Sequence, residues 1–145
     1  MRLVGVEADL HVFEGKPNWG EPLRIALRFD DGSSLRLGVG GDGETLKIDR
    51  LPLEGPFDME EYGRVEVHDF AGALGPGLRG ARLEPLRVIR DREGRSMGLA
   101  LPFAGGGTVC IWADGDRLHW GDEAALLRHH KLPEVEPRLA EPFEG

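Results

Sequence analysis

Apolar and polar residues alternate along much of this chain. Leu23, Ile25, Leu27 and Phe29 share one parity, and Arg24, Ala26 and Arg28 take the other. A period of two marks a strand with one buried face. Asp30-Asp31-Gly32 then predicts a turn, after which Leu35, Leu37 and Val39 resume the inward set. Partners across an antiparallel hairpin share a face, so Leu27 must oppose an apolar residue. A three-residue loop with Gly32 in the left-handed conformation achieves this, setting Phe29 opposite Ser33 and Leu27 opposite Leu35.

The same pattern returns later in the chain. Ile25, Leu27, Phe29, Gly32, Leu35 and Leu37 reappear at one constant offset as Leu99, Leu101, Phe103, Gly106, Val109 and Ile111. After a short slip, Asp42-Gly43-Glu44 with Leu46 and Ile48 reappear as Asp114-Gly115-Asp116 with Leu118 and Trp120. Upstream, Leu3 and Gly5 match Leu78 and Gly80, while Leu10 and Val12 match Leu86 and Val88. A repeated hydrophobic pattern predicts a repeated supersecondary unit. The second hairpin then pairs Leu101 with Val109 and Trp112 with Gly98.

The remaining elements are fewer. Leu3 to Phe13 reads as a first strand and Arg64 to His68 as a short one. The rest of 51–75 is punctuated by Pro52, Pro56, Gly72 and Gly75 and reads as loop. One helix is predicted, with Asp122 as N-cap, Glu123 to His130 as its body and Pro133 as its stop. The tail 131–145 is expected to fray or to lie as a strap anchored by Pro142-Phe143. Together these features predict a mainly β fold. It is an internally duplicated antiparallel β-sandwich or partly open barrel, with one short C-terminal helix. One domain of 1–145 is expected, with β-repeats at about 1–50 and 76–121.

The two hairpins differ on their second face. Arg24, Arg28 and Arg36 face outward in the first, whereas Gly98, Pro102 and Cys110 stand at the matching positions of the second, beside Ala100 and Trp112. Apolar residues on both faces predict cover on both sides. Two covers are open: the chain's own C-terminal helix, or a second copy meeting Ala100, Cys110 and Trp112 in a homodimer.

Composition narrows the functional classes. A net charge of -8 over 145 residues disfavours nucleic acid and anionic membrane as partners. No run is long enough to span a bilayer, and the acid at Glu7 interrupts any leader-like apolar start. A lone Cys110 forbids an intrachain disulfide and any multi-cysteine metal site, so a cytoplasmic location is expected. A single asparagine, no glutamine and an excess of arginine over lysine give a thermophile-like composition.

Candidate chemistry is sparse. Gly38-Val39-Gly40-Gly41-Asp42-Gly43 matches the spacing of a dinucleotide fingerprint, but the alternating residues after it predict a strand where that fingerprint needs a helix. Cys110 lies mid-strand, no serine sits in a nucleophile elbow, and His11 and His68 read as structural. Asp114, Asp116, His119 and His129 or His130 form the one grouping with metal-ligand chemistry, although their spacing matches no established pattern. The Arg24, Arg28 and Arg36 stripe is either a solvated face paired with acids or an anion site, since guanidinium suits bidentate capture of carboxylate or phosphate. The expected function is therefore a non-enzymatic binding or assembly module that self-associates, with no cofactor. The alternatives are a divalent-metal hydrolase built on Asp114 to Glu123 and a sensor of a small anion held between the repeats.

Overall fold

The structure is a computed structural model and describes residues 1–129 and 132–144. Strands β1 (Leu3–Phe13), β2 (Lys16–Pro17), β3 (Arg24–Phe29), β4 (Ser34–Val39), β5 (Leu46–Asp49), β6 (Phe57–Asp58) and β7 (Arg64–Asp69) come first, followed by a one-turn helix α1 (Ala71–Leu74). Next come β8 (Arg87–Arg90), β9 (Ser96–Pro102), β10 (Thr108–Asp114) and β11 (Arg117–Gly121). Two short helices, α2 (Glu123–Arg128) and α3 (Leu132–Val135), precede β12 (Arg138–Pro142). The first seven strands form one antiparallel sheet in the order β5-β4-β3-β1-β7-β6, with β2 paired to β1. The other five form a second antiparallel sheet, β11-β10-β9-β8-β12, and neither sheet closes on itself.

Both hairpins take the expected register. Leu27 pairs with Leu35, and the Phe29 amide bonds the Ser33 carbonyl across a turn in which Gly32 has φ 87°. Leu101 pairs with Val109 and Trp112 with Gly98, across a turn in which Gly106 has φ 103°. In both turns glycine supplies a conformation that a Cβ would oppose. The resemblance weakens upstream, where β1 has 11 residues and β8 only 4. Leu78 to Arg82 is a turn pinned to the start of β1 by the Leu3–Ala81 and Gly80–Leu3 backbone bonds.

Alternation in β1 contains an apparent fault, since Leu3 and Val6 are both buried despite opposite parity. A bulge resolves it. Leu3 pairs with Phe29 and Gly5 with Arg28, so two residues of β1 oppose one of β3 and the facing flips. Leu3, Val6, Ala8 and Leu10 consequently join Ile25, Leu27, Leu99, Leu101 and Ile111 in one core shared by both sheets.

A second apolar cluster lies on the far face of the small sheet. Ala100, Cys110 and Trp112 are 0%, 0% and 2% exposed, beneath Leu126 and Ala125 of α2 and Leu139 of β12. The cover over this face is the chain's own. Helix α2 presents Leu126 inward, 1% exposed, and leaves Leu127 59% exposed. Of the two covers expected for Ala100, Cys110 and Trp112, the chain's own C-terminal helix is the one in place over them in the single chain.

Three local expectations also change. The segment read as loop contains β6, a 3-10 turn at Glu60–Tyr62 and α1. Helix α1 is too short to leave a periodic signal; Phe70, Ala71 and Leu74 bury into the core while the Asp69 carboxylate accepts the Ala71 amide. Asp122 caps α2 as expected, accepting the Ala125 amide at 2.7 Å, but the helix ends at Arg128. Pro133 lies within the separate turn α3, where the first helical positions tolerate proline. The tail is a strap: β12 pairs with β8, the Phe143 amide donates to the Leu86 carbonyl, and the Phe143 ring packs on the core.

Candidate functional site

Two concave features flank the β10–β11 hairpin. The larger is a cleft of about 720 Å³ on the face of the seven-stranded sheet opposite the core. Its floor follows from alternation: with Ile25 and Leu37 turned inward, Arg24, Arg36, Lys47 and Asp49 must point the other way. One wall is the segment around Glu54 and Met59, and the other includes Glu21, Asp116 and Arg117.

Buried Asp9 fixes the first wall. Its carboxylate accepts the amides of Glu54 and Gly55, each at 3.0 Å, and lies so near that a Cβ at Gly55 would meet Asp9 Oδ1 at 2.7 Å. The second wall is tied at its end. The Asp116 amide donates to the Gly43 carbonyl at 3.0 Å, and the Gly115 amide donates to a Glu44 carboxylate oxygen at 3.3 Å. Arg117 pairs with Glu21 at 2.6 Å.

The arginine stripe divides at this cleft. Arg36, buried, makes a bidentate pair with Asp49 at 2.9 and 2.8 Å and donates to the Pro52 carbonyl. That hydrogen bonding raises the Arg36 pKa above its ordinary value and lowers that of Asp49, burial opposing both. Arg24 lies 3.4 Å from Glu54, and Arg36 lies 3.8 Å from the same carboxylate. Arg28 stands outside the cleft, paired with Glu7 at 2.9 Å against the bare backbone of Gly5. Lys47 lines the cleft and makes no hydrogen bond or ion pair among the described residues. Lys47, Asp49 and Arg117 were not among the candidates drawn from the sequence. The outward parity of Lys47 and Asp49 beside Leu46 and Ile48 carried the signal for two of them.

The second feature is a depression of about 300 Å³ lined by Trp112, His119, Trp120 and His129. Strand pairing sets His119 opposite Trp112, and their rings stack with centroids 5.9 Å apart. Helix α2 returns the chain so that His129, just past its end, meets the same place. The His129 ring lies 4.5 Å from that of His119 and stands edge-on to Trp112. Asp114, buried at the end of β10, contacts both histidines. His129 Nε2 lies 2.6 Å from its Oδ2, and His119 Nε2 lies 3.0 Å from its backbone carbonyl. Donor atoms of Asp114, His119 and His129 all lie within 4.8 Å of one another.

A backbone carbonyl only accepts, so the proton of a neutral His119 sits on Nε2 and the lone pair on Nδ1. Burial holds the His119 pKa below the ordinary imidazole value, outweighing the hydrogen bond to Asp114. The Trp112 indole N–H is buried without a partner among the described residues. Asp116 does not join the group; it adopts φ 63° and turns its carboxylate toward Gly43. His130 lies outside the described residues.

Other sequence candidates have structural placements. The glycine-rich run ends in a turn at Gly40 to Thr45, where one Asp42 oxygen accepts the Glu44 and Thr45 amides and the Thr45 hydroxyl. Cys110 is fully buried, and burial, helped by Glu123 and Asp122, pushes its thiol up to about 12. His11 contacts the Tyr62 carbonyl and His68 the Glu66 carboxylate. No helix among the described residues is long and apolar enough to cross a membrane. Comparison with protein-family models, with curated proteins and with solved structures found no match for this chain.

Proposed function

We propose that this protein is a non-enzymatic binding module whose ligand, a small polar molecule bearing a carboxylate or phosphate, sits in the cleft over Arg24, Arg36 and Lys47. The observation that carries the reading is the cleft itself. Its volume of about 720 Å³ suits a metabolite-sized ligand, and its walls come from both sheets. Arg36 is already committed to Asp49, so it shapes the floor rather than capturing an anion. Lys47 supplies a cation that makes no hydrogen bond or ion pair among the described residues, and Arg24 shares one carboxylate with Arg36 at 3.4 and 3.8 Å. Binding is favoured over assembly because the apolar face that suggested self-association is covered from within the same chain.

A thermal-shift series with inorganic phosphate, citrate and glutamate tests the reading, since a ligand that binds only the folded state raises the melting temperature. At least one of these anions is expected to stabilise the protein in saturable fashion. Lys47→Glu is expected to abolish that shift, and Arg28→Glu, outside the cleft, to preserve it. The reading fails if no anion produces a saturable shift, or if Lys47→Glu leaves the shift intact.

A further inference from the structure

We propose that Asp114, His119 and His129 form a mononuclear site for a divalent transition-metal ion such as zinc, cobalt or nickel, separate from the cleft and independent of its ligand. Two imidazoles and one carboxylate are a donor set that such ions favour over magnesium or calcium, which prefer oxygen. Three protein donors also match the count of an open zinc site, in which water or a further ligand takes the fourth position.

The geometry supports this assignment at several points. One potential ligand atom of each residue, a ring nitrogen for each histidine, lies within 4.8 Å of the other two, whereas tetrahedral bonds of ordinary length would set donors roughly 3.3 Å apart. His129 Nε2 and Asp114 Oδ2 already face each other at 2.6 Å. The backbone carbonyl of Asp114 holds His119 by Nε2, leaving Nδ1 as the nitrogen with a lone pair. An outer hydrogen bond of this kind is what orients a metal-ligating histidine. Among the described residues that Nδ1 has no hydrogen-bond partner. Trp112 and Leu118 line the depression beside His119 and His129. Each donor is also held by its own element: Asp114 ends β10, His119 lies in β11, and His129 follows the capped helix α2.

The test uses the full, untagged chain, stripped with chelator, dialysed and titrated with cobalt(II). Visible absorption and quenching of tryptophan fluorescence report binding, the latter because Trp112 stacks on His119. One cobalt ion per chain is expected, with absorption bands of a four- or five-coordinate site and displacement by zinc. His119→Ala and His129→Ala are each expected to weaken binding by on the order of a hundredfold, and His68→Ala to leave it unchanged. His119→Gln preserves the stacking area, and near-ultraviolet circular dichroism confirms that each variant is folded. The proposal is overturned if cobalt does not saturate at one equivalent. It is equally overturned if folded His119→Gln binds as tightly as the parent, or if His68→Ala removes the site.

Discussion

The Asp116 amide donates to the carbonyl of Gly43 at 3.0 Å, joining the β4–β5 turn of one sheet to the β10–β11 turn of the other. These are the two turns whose sequences, Asp42-Gly43-Glu44 and Asp114-Gly115-Asp116, resemble each other. Together they close one end of the cleft. Glycine suits this contact: Gly43 has φ 74°, and a Cβ there would press on the Asp116 carboxylate, which would have to move. Gly43→Val is therefore expected to cost about 1–3 kcal/mol, from left-handed strain and a displaced neighbour. Gly41→Ala, with nothing within 4 Å of the added atom, is expected to stay within about 0.5 kcal/mol of the parent. Denaturant unfolding of the two variants decides this, and equal stability would contradict the close approach.

The cover over Trp112 makes a second expectation. Leu126 is the side chain of α2 that seals Cys110 and Trp112, so Leu126→Ala is expected to destabilise the fold by about 2–5 kcal/mol. Leu127→Ala, on the exposed side, is expected to change stability by less than about 0.5 kcal/mol. Cys110 gives the readout of the opening itself. With its thiol pushed up to about 12 by burial, it is expected to resist a disulfide reagent at neutral pH in the native protein. In Leu126→Ala the modification is expected to accelerate in step with the lost stability. Rapid modification of the parent chain would show that α2 does not seal this face.

How much of this was legible in the sequence depended on the range of the interaction. Both hairpin registers could be read because a period of two and one glycine fix them within a dozen residues. The Asp122 cap was legible for the same reason, since its bond closes three residues on. What covers Ala100, Cys110 and Trp112 was not, because apolar pattern records that a face is buried and not which chain buries it. Neither was the lie of 51–59 across the large sheet, which rests on Asp9 reaching the Glu54 and Gly55 amides far along the chain.

The candidate sites show the same divide. Asp114, Asp116 and His119 are close in sequence, yet whether His129 or Asp116 completes the group depends on where α2 ends and which way a turn points. The structure answers with His129. Arg24, Arg28 and Arg36 share a strand face, and still Arg28 lies outside the cleft while Lys47 of the next strand lies within it.

Acid is expected to act through the pair beneath the cleft. Hydrogen bonding from Arg36 holds the Asp49 carboxyl below its ordinary value of 3.8 in the folded protein. The unfolded chain therefore binds this proton more readily, and folding stability must fall as protons are added. The contribution is fully present above the unfolded value and is lost as pH falls through the lower folded value. Asp49→Asn is expected to cost on the order of 2 kcal/mol near neutral pH, since it leaves the largely buried Arg36 with weaker partners. Its stability curve is expected to converge on that of the parent in strong acid. Parallel curves for the two proteins down to strong acid would remove Asp49 as a source of the acid response.

The strap formed by β12 and Phe143 sets the last expectation. Pro137 and Pro142 make the tail a poor strand by composition, but Pro142 stands at the strand end, and an edge strand tolerates a missing donor there. Leu139 pairs with Ile89 and packs on the cluster under α2, while Phe143 reaches the main core. The tail thus touches both apolar clusters at once. The amide of Phe143, bonded to the Leu86 carbonyl at 2.7 Å, is expected to exchange with deuterium far more slowly than a frayed terminus. Phe143→Ala is expected to cost about 1–3 kcal/mol, below the usual loss for a fully buried ring because Phe143 is only partly covered. It is also expected to speed exchange at Leu139, one end of the strap loosening the other. Exchange at the Phe143 amide as fast as in an unfolded peptide would mean the tail is not docked, and the small sheet would then end at β8.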